Sequence, residues 1–122
     1  MINNRKLIQS FVFAFEGIYY ALKRNQNLRI HFVAAILVII TSIYFHVNAF
    51  EMGILGVMIL LVISSEMINT ALEEMTNLIT NEHRLEAKIA KDVSAGMVLV
   101  TAIGSVVVGI LIFTPYILKL FR

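Results

Sequence analysis
Three long stretches without a formal charge leave this chain few ways to fold. From Ile30 to Phe50 and from Val93 to Leu118, runs of 21 and 26 residues, there is no Lys, Arg, Asp or Glu, and Met52 to Ser65 is equally uncharged. At ~1.5 Å of helical rise per residue, about 20 residues cross a hydrocarbon core of ~30 Å. A mean hydropathy of +0.85, with 59% hydrophobic and 15% charged residues, fits a membrane protein. A soluble domain of 122 residues this apolar would lack the polar surface to stay in solution. With no cysteine, disulfides and thiolate metal sites are excluded.

The runs predict three transmembrane helices over 29–50, 52–76 and 93–119, the first two joined as a tight antiparallel hairpin. Gly104 and Gly109 lie five apart, so they form no GxxxG motif, although either allows a close helix approach. Ahead of the spans, Leu7, Phe11, Phe15, Ile18 and Leu22 recur every three or four residues. This is the stripe of an amphipathic helix over 1–28, suited to the membrane interface and equally to packing on the other helices. Charges interleaved through this segment exclude a cleavable signal peptide. The fold expected is a single all-α membrane domain over 1–122, with an interfacial N-terminal helix, three spans and a loop at 77–92.

Basic residues orient it. Arg5, Lys6, Lys23, Arg24 and Arg29 precede the first span, and Arg84, Lys88 and Lys91 lie between the second and third. The first hairpin has neither Lys nor Arg, and Lys119 and Arg122 offset the asymmetry only slightly. The N-terminus and the 77–92 loop are therefore expected on the cytoplasmic side of the cell membrane. A net charge of +2, clustered in this way, speaks for membrane orientation and against nucleic acid as a partner.

The stretch SSEMINTALEEMTN, Ser64 to Asn77, breaks the apolar pattern of span two. On a continuing helix Glu66, Asn69, Glu73 and Asn77 share one face. An ionised group in hydrocarbon costs at least ~2.5–3.5 kcal/mol, so these glutamates must face protein, water or a cation. The plainer reading is that they bond across helices as glue. Lys91 and Asp92, just before span three, are expected near the level of Glu73. Carboxylates suit Mg²⁺ carried with substrate phosphates, and lysine neutralises phosphate charge, so the inventory is that of phosphoryl transfer. No P-loop ending GK[ST] and no HRD or DFG triplet is present, which excludes the soluble nucleotide-binding cradles. A non-catalytic ion conduit is the competing class, but it needs polar residues along the depth of a span, and here they gather at one end.

EMINTALE, Glu66 to Glu73, followed by AKIAKDVSAGMVLV, Ala87 to Val100, resembles the small integral-membrane prokaryotic diacylglycerol kinases. The resemblance covers nearly the whole chain, and AKIAKDVSAG with RIHFVAA resembles the Gram-positive branch, which includes undecaprenol kinases. It implies a homotrimer with composite sites near the cytoplasmic interface, phosphorylating a lipid alcohol with MgATP. Carried over, Glu66 is the general base that takes the lipid hydroxyl proton, and Asn69 positions it. Glu73 holds Mg²⁺ on the ATP phosphates, Lys91 binds phosphate oxygens, and Asp92 sits in the nucleotide site. The branch points to undecaprenol as acceptor, with diacylglycerol as the alternative.

Two positions depart from the pattern. The family usually has a metal-binding glutamate where this chain has Asn25, and commonly an aspartate where it has Asn77. An amide oxygen ligates Mg²⁺ without bringing negative charge, so weaker metal affinity is expected. Asn25 either serves with more water in the shell, or stands out of register, or marks reduced activity. His31 reads as an interfacial anchor, with a headgroup contact as the alternative, and His46 and Tyr44 as anchors on the far side. Glu74 and Glu86 read as surface charges.

Overall fold
The computed structural model describes residues 3–121; Arg122 and the first two residues assigned to the surface helix lie outside them. Four helices follow in order: α1 (Asn4–Arg24), α2 (Gln26–Tyr44), α3 (Ala49–Ile79) and α4 (Leu85–Lys119). The last three are long and apolar enough to cross a membrane. The most extensive packing joins α3 to α4; α2 lies on α3, and α1 touches both α2 and α3 only lightly. The stripe of α1 (Leu7, Phe11, Phe15) stays exposed on the chain, as an interfacial helix requires.

Helix ends account for the differences from the expected boundaries. The first span ends at Tyr44, and Ala49 and Phe50 belong to α3. Asn48 caps α3, its Oδ1 accepting from the Glu51 backbone N–H at 2.9 Å, and Glu51 stands in the first turn as a capping-box partner would. In the intervening turn His46 adopts φ 54, a left-handed conformation uncommon for a side-chain-bearing residue. The larger correction concerns the expected loop at 77–92. Helix α3 runs on to Ile79 and α4 begins at Leu85, so only 80–84 connects them. The charges of LEAKIAKD keep this segment out of hydrocarbon but not out of a helix: its Leu, Glu, Ala and Lys are strong helix formers. Glu86 also complements the N-terminal dipole, and Lys88 pairs with Asp92 one turn on at 3.8 Å.

With 31 and 35 residues, α3 and α4 are about 46 and 52 Å long, well over the ~30 Å of a hydrocarbon core. The excess lies at the 80–84 end. Gly104 meets Met58 of α3, where a Cβ would stand 3.7 Å from the methionine methyl group; around Gly109 the space is open. At the opposite end Val47, Leu55 and Ile112 form a small core with Phe45, Phe113 and Tyr116 against it. There the Tyr116 hydroxyl donates to Glu51 Oε2 at 2.5 Å and accepts from the Asn48 backbone N–H at 3.3 Å, fastening α4 to the α2–α3 turn. Tyr116→Phe removes the donor to a carboxylate and is expected to lower the unfolding midpoint measured in mixed micelles.

Candidate functional site
Asn25 sits where the chain turns from α1 into α2. Its backbone N–H donates to the Ala21 carbonyl at 2.8 Å, closing α1, and its Oδ1 accepts from the Leu28 N–H at 3.2 Å, opening α2. Arg29 braces the same corner by donating from one guanidinium nitrogen to the Leu22 and Lys23 carbonyls, both at 3.0 Å. A cation at a helix C-terminus also meets the negative end of its dipole. The corner aims the remaining group of Asn25, its Nδ2, at α3. It donates to Glu66 Oε2 at 2.8 Å and to Thr70 Oγ1 at 3.0 Å.

Glu66 is 1% exposed, the most deeply buried charged residue among those described. It lies seventeen residues into α3, about 25 Å along the axis and so within the ~30 Å thickness of a hydrocarbon core counted from the Asn48 cap, whereas Glu73 at about 36 Å exceeds that length. Hydrogen bonds to a charged group are worth about 1.5–3 kcal/mol, similar to the ~2.5–3.5 kcal/mol cost of a carboxylate at membrane depth. The Asn25 bond is therefore large enough to decide whether Glu66 is tolerated there. Beside the other carboxylate oxygen, Oε1, stands Nε2 of His31 at 3.6 Å. Position 31 thus faces Glu66 as well as the boundary to which the sequence assigned it.

The polar face of α3 addresses two cavities. One, of about 380 Å³, is lined by Arg24, Asn25, Gln26, Asn27, Asn69, Thr70 and Glu73. The other, of about 600 Å³, lies around the 80–84 connection and includes Asn77, His83, Arg84, Lys88, Lys91 and Asp92. Between them runs a chain of short bonds. Ser94 Oγ lies 2.6 Å from Asn69 Oδ1 and 2.9 Å from the Lys91 carbonyl, and Lys91 Nζ donates to Asn77 Oδ1 at 2.7 Å. Glu66, Asn69 and Glu73 are thus brought to the α1–α2 side, and Lys91, Asp92 and Asn77 to the α4 side, with Asn69 joining the sets. The sequence places Lys91 and Asp92 near the level of Glu73, and within the single chain the two sets line different cavities.

A third cavity, of about 420 Å³, is an apolar groove between α2, α3 and α4 that runs from Ile30 and His31 past Val62 to Gly109 and Phe113.

The donors around Glu73 fit magnesium in one way only. No group of three or more His, Asp or Glu is close enough to cage a metal among the described residues. Asn25, the other residue expected to ligate, has its oxygen committed to the α2 cap and its nitrogen to Glu66. A single exposed carboxylate in a polar cavity suits an ion that arrives with phosphates and keeps most of its waters.

Sequence reasoning missed Thr70, Ser94 and Glu74. Thr70 lies inside EMINTALE but reads as a helix filler; it donates to the Glu66 carbonyl at 3.0 Å. Glu74 is no free surface charge, since Arg24 reaches it at 3.2 Å and so docks α1 onto α3. Its carboxylate, as an acceptor near the Tyr20 hydroxyl, also raises that phenol above its ordinary range.

A buried glutamate beside amides, with a lysine-lined cavity farther along the same helix of a three-span bundle, is the inventory of a membrane phosphotransferase. The family comparison agrees. The sequence model of the prokaryotic diacylglycerol kinases matches residues 12–113, and the chain belongs to that family of lipid kinases. A diacylglycerol kinase from Synechocystis sp. is 39% identical over 116 residues, covering 93% of this chain but 66% of that protein. An undecaprenol kinase from Bacillus subtilis is 37% identical over 110 residues, covering 90% of this chain and 89% of that one.

Asn25→Ala removes both the α2 cap and the bond to Glu66, and is expected to cost about 2–4 kcal/mol. Asn25→Ser keeps a capping oxygen and loses only the longer reach to Glu66, so unfolding in mixed micelles is expected to place it between Asn25→Ala and the parent.

Proposed function
We propose that this protein transfers the γ-phosphoryl group of ATP to the hydroxyl of undecaprenol, at the cytoplasmic face of the cell membrane and with its N-terminus on that side. The observation that carries the reading is Glu66: a buried carboxylate in a helix apolar enough to cross a membrane, one turn from the polar cavity lined by Asn69, Thr70 and Glu73 and about three from the one that holds Lys91. Two features favour the polyprenol over diacylglycerol. The undecaprenol kinase relative matches along nearly its whole length, whereas the diacylglycerol kinase relative extends well beyond the match. In addition, the groove leading to Glu66 is apolar almost throughout, which suits a hydroxyl carried directly on hydrocarbon; diacylglycerol would bring two ester groups to the same place.

Glu66 acts as general base. The acceptor O–H bond breaks with its proton passing to the carboxylate, and the acceptor oxygen forms a bond to the γ-phosphorus. The bond from that phosphorus to the β,γ-bridging oxygen breaks, leaving its electron pair on ADP. Asn69, anchored by Ser94, orients the reacting groups. Lys91, released from Asn77, binds phosphate oxygens, and Asp92 contacts the nucleotide. Glu73 would hold magnesium brought with ATP, and the ion would supply neutralising charge to the phosphates. Because Glu73 and Lys91 line separate cavities in one chain, a complete site calls for a neighbouring subunit, which supports a homotrimer with composite sites.

Purified protein in detergent, given ATP, Mg²⁺ and either lipid, is expected to phosphorylate undecaprenol in preference to diacylglycerol. Glu66→Gln is expected to lower kcat by about 10²–10⁴. Glu73→Gln is expected to raise the Mg²⁺ concentration needed for half-maximal rate. Preference for diacylglycerol would reverse the acceptor assignment, and no transfer from a folded oligomer would return the conduit reading.

A further inference from the structure
His31 has no part in the roles assigned above, yet its ring lies against the buried carboxylate and also lines the apolar groove. Its Nε2 stands 3.6 Å from Glu66 Oε1. It is also the only ionisable side chain lining the groove among the described residues. Glu66 itself is not part of the groove wall, whose nearest α3 members are Val62 and Ile63. The burial of the pair is graded, with the His31 side chain 27% exposed and that of Glu66 1%.

The two carboxylate oxygens are therefore addressed separately. Asn25 holds Oε2 with a short bond from the start of α2, and His31 approaches Oε1 from the second turn of the same helix. A single hydrogen bond on Oε2 restrains the carboxylate without locking it, because the terminal torsion has only broad preferences and the planar group can rock about that bond. A general base has to lie within ~2.6–3.2 Å of the proton it removes, and a misplacement of about 1 Å costs on the order of 10²-fold in rate. Contacts of this kind are commonly long before substrate binds and tighten in the complex.

We propose that His31 is a positioning residue for Glu66. Its Nε2–H turns Oε1 toward the mouth of the apolar groove, so that the base meets the hydroxyl of a lipid alcohol whose chain lies in that groove. The assignment rests on the kinase reading of Glu66. Its chemical content is narrow: what matters at position 31 is a hydrogen-bond donor at that reach, which a glutamine amide supplies and a leucine does not.

The full-length protein and its His31→Leu and His31→Gln variants are compared in steady-state transfer from ATP to undecaprenol, with rates referred to the folded, oligomeric fraction measured by size exclusion and thermal unfolding. For His31→Leu, kcat is expected to fall about 10- to 100-fold while KM for ATP stays within about twofold. For His31→Gln, kcat is expected to return to within about threefold of the parent. A purely structural role would change the folded fraction and leave kcat per folded protein alone. An active parent whose His31→Leu variant keeps its kcat overturns the assignment, and so does a glutamine variant as slow as the leucine one. A parent without transfer to any lipid alcohol overturns the kinase reading and this assignment with it.

Discussion
A single carboxylate within the hydrocarbon boundary sets the terms for the rest of this bundle. Glu66 cannot stand there without a donor, and the donor comes from outside its own helix, at the one point where α1 gives way to α2. Asn25 closes one helix, opens the next and reaches the carboxylate with what remains of its amide. Arg29 and the Arg24–Glu74 pair secure the same corner. The angle between the interfacial helix and the first span, the depth of α3 and the seating of the buried acid are thereby one structural problem with one solution. An acid at this depth is weak evidence of stability in itself, since apolar replacements of buried ionic groups are often neutral or better. Its arrangement points instead to chemistry.

The same corner bears on magnesium. An asparagine whose two ends serve a cap and a carboxylate supports Glu66 and brings no charge to a metal. Glu73 is left as the one carboxylate of a cavity otherwise lined by amides, a hydroxyl and Arg24. Such a site has little to hold a divalent cation by itself and more to offer one already chelated by a nucleotide. Asn69 is the natural hinge of the arrangement, because it lines the Glu73 cavity while its oxygen is bound by Ser94 on the Lys91 side.

Charge-free runs made the three spans legible in the sequence, and the spacing of Glu66, Asn69 and Glu73 made their shared helix legible too. What the sequence could not display was the partner across the gap. Periodicity describes which residues share a face of one helix, whereas Asn25, His31 and Ser94 matter through contacts with a different helix, at separations from 25 to 41 residues. Helix ends were blurred for a related reason. Charges at 85–92 mark where hydrocarbon stops, and a helix has no need to stop with it. The N-x-x-E pattern at Asn48–Glu51 was a readable start signal, overlooked because the surrounding residues are as apolar as those of the span before it.

Helix α3 is unbroken from its cap at Asn48 to Ile79, and this continuity makes it a ruler. Its cap marks zero on one side of the bilayer, and every residue toward Glu66 adds a fixed increment of depth and about 100° of rotation. Lengthening or shortening the stretch from Met52 to Ser65 by one residue would lift or sink the carboxylate by only ~1.5 Å, but it would swing it off Asn25 altogether. The 80–84 connection carries no such constraint. Length variation in this architecture is therefore confined to the side where the helices emerge into water, and the membrane-crossing part of α3 behaves as a piece of fixed gauge.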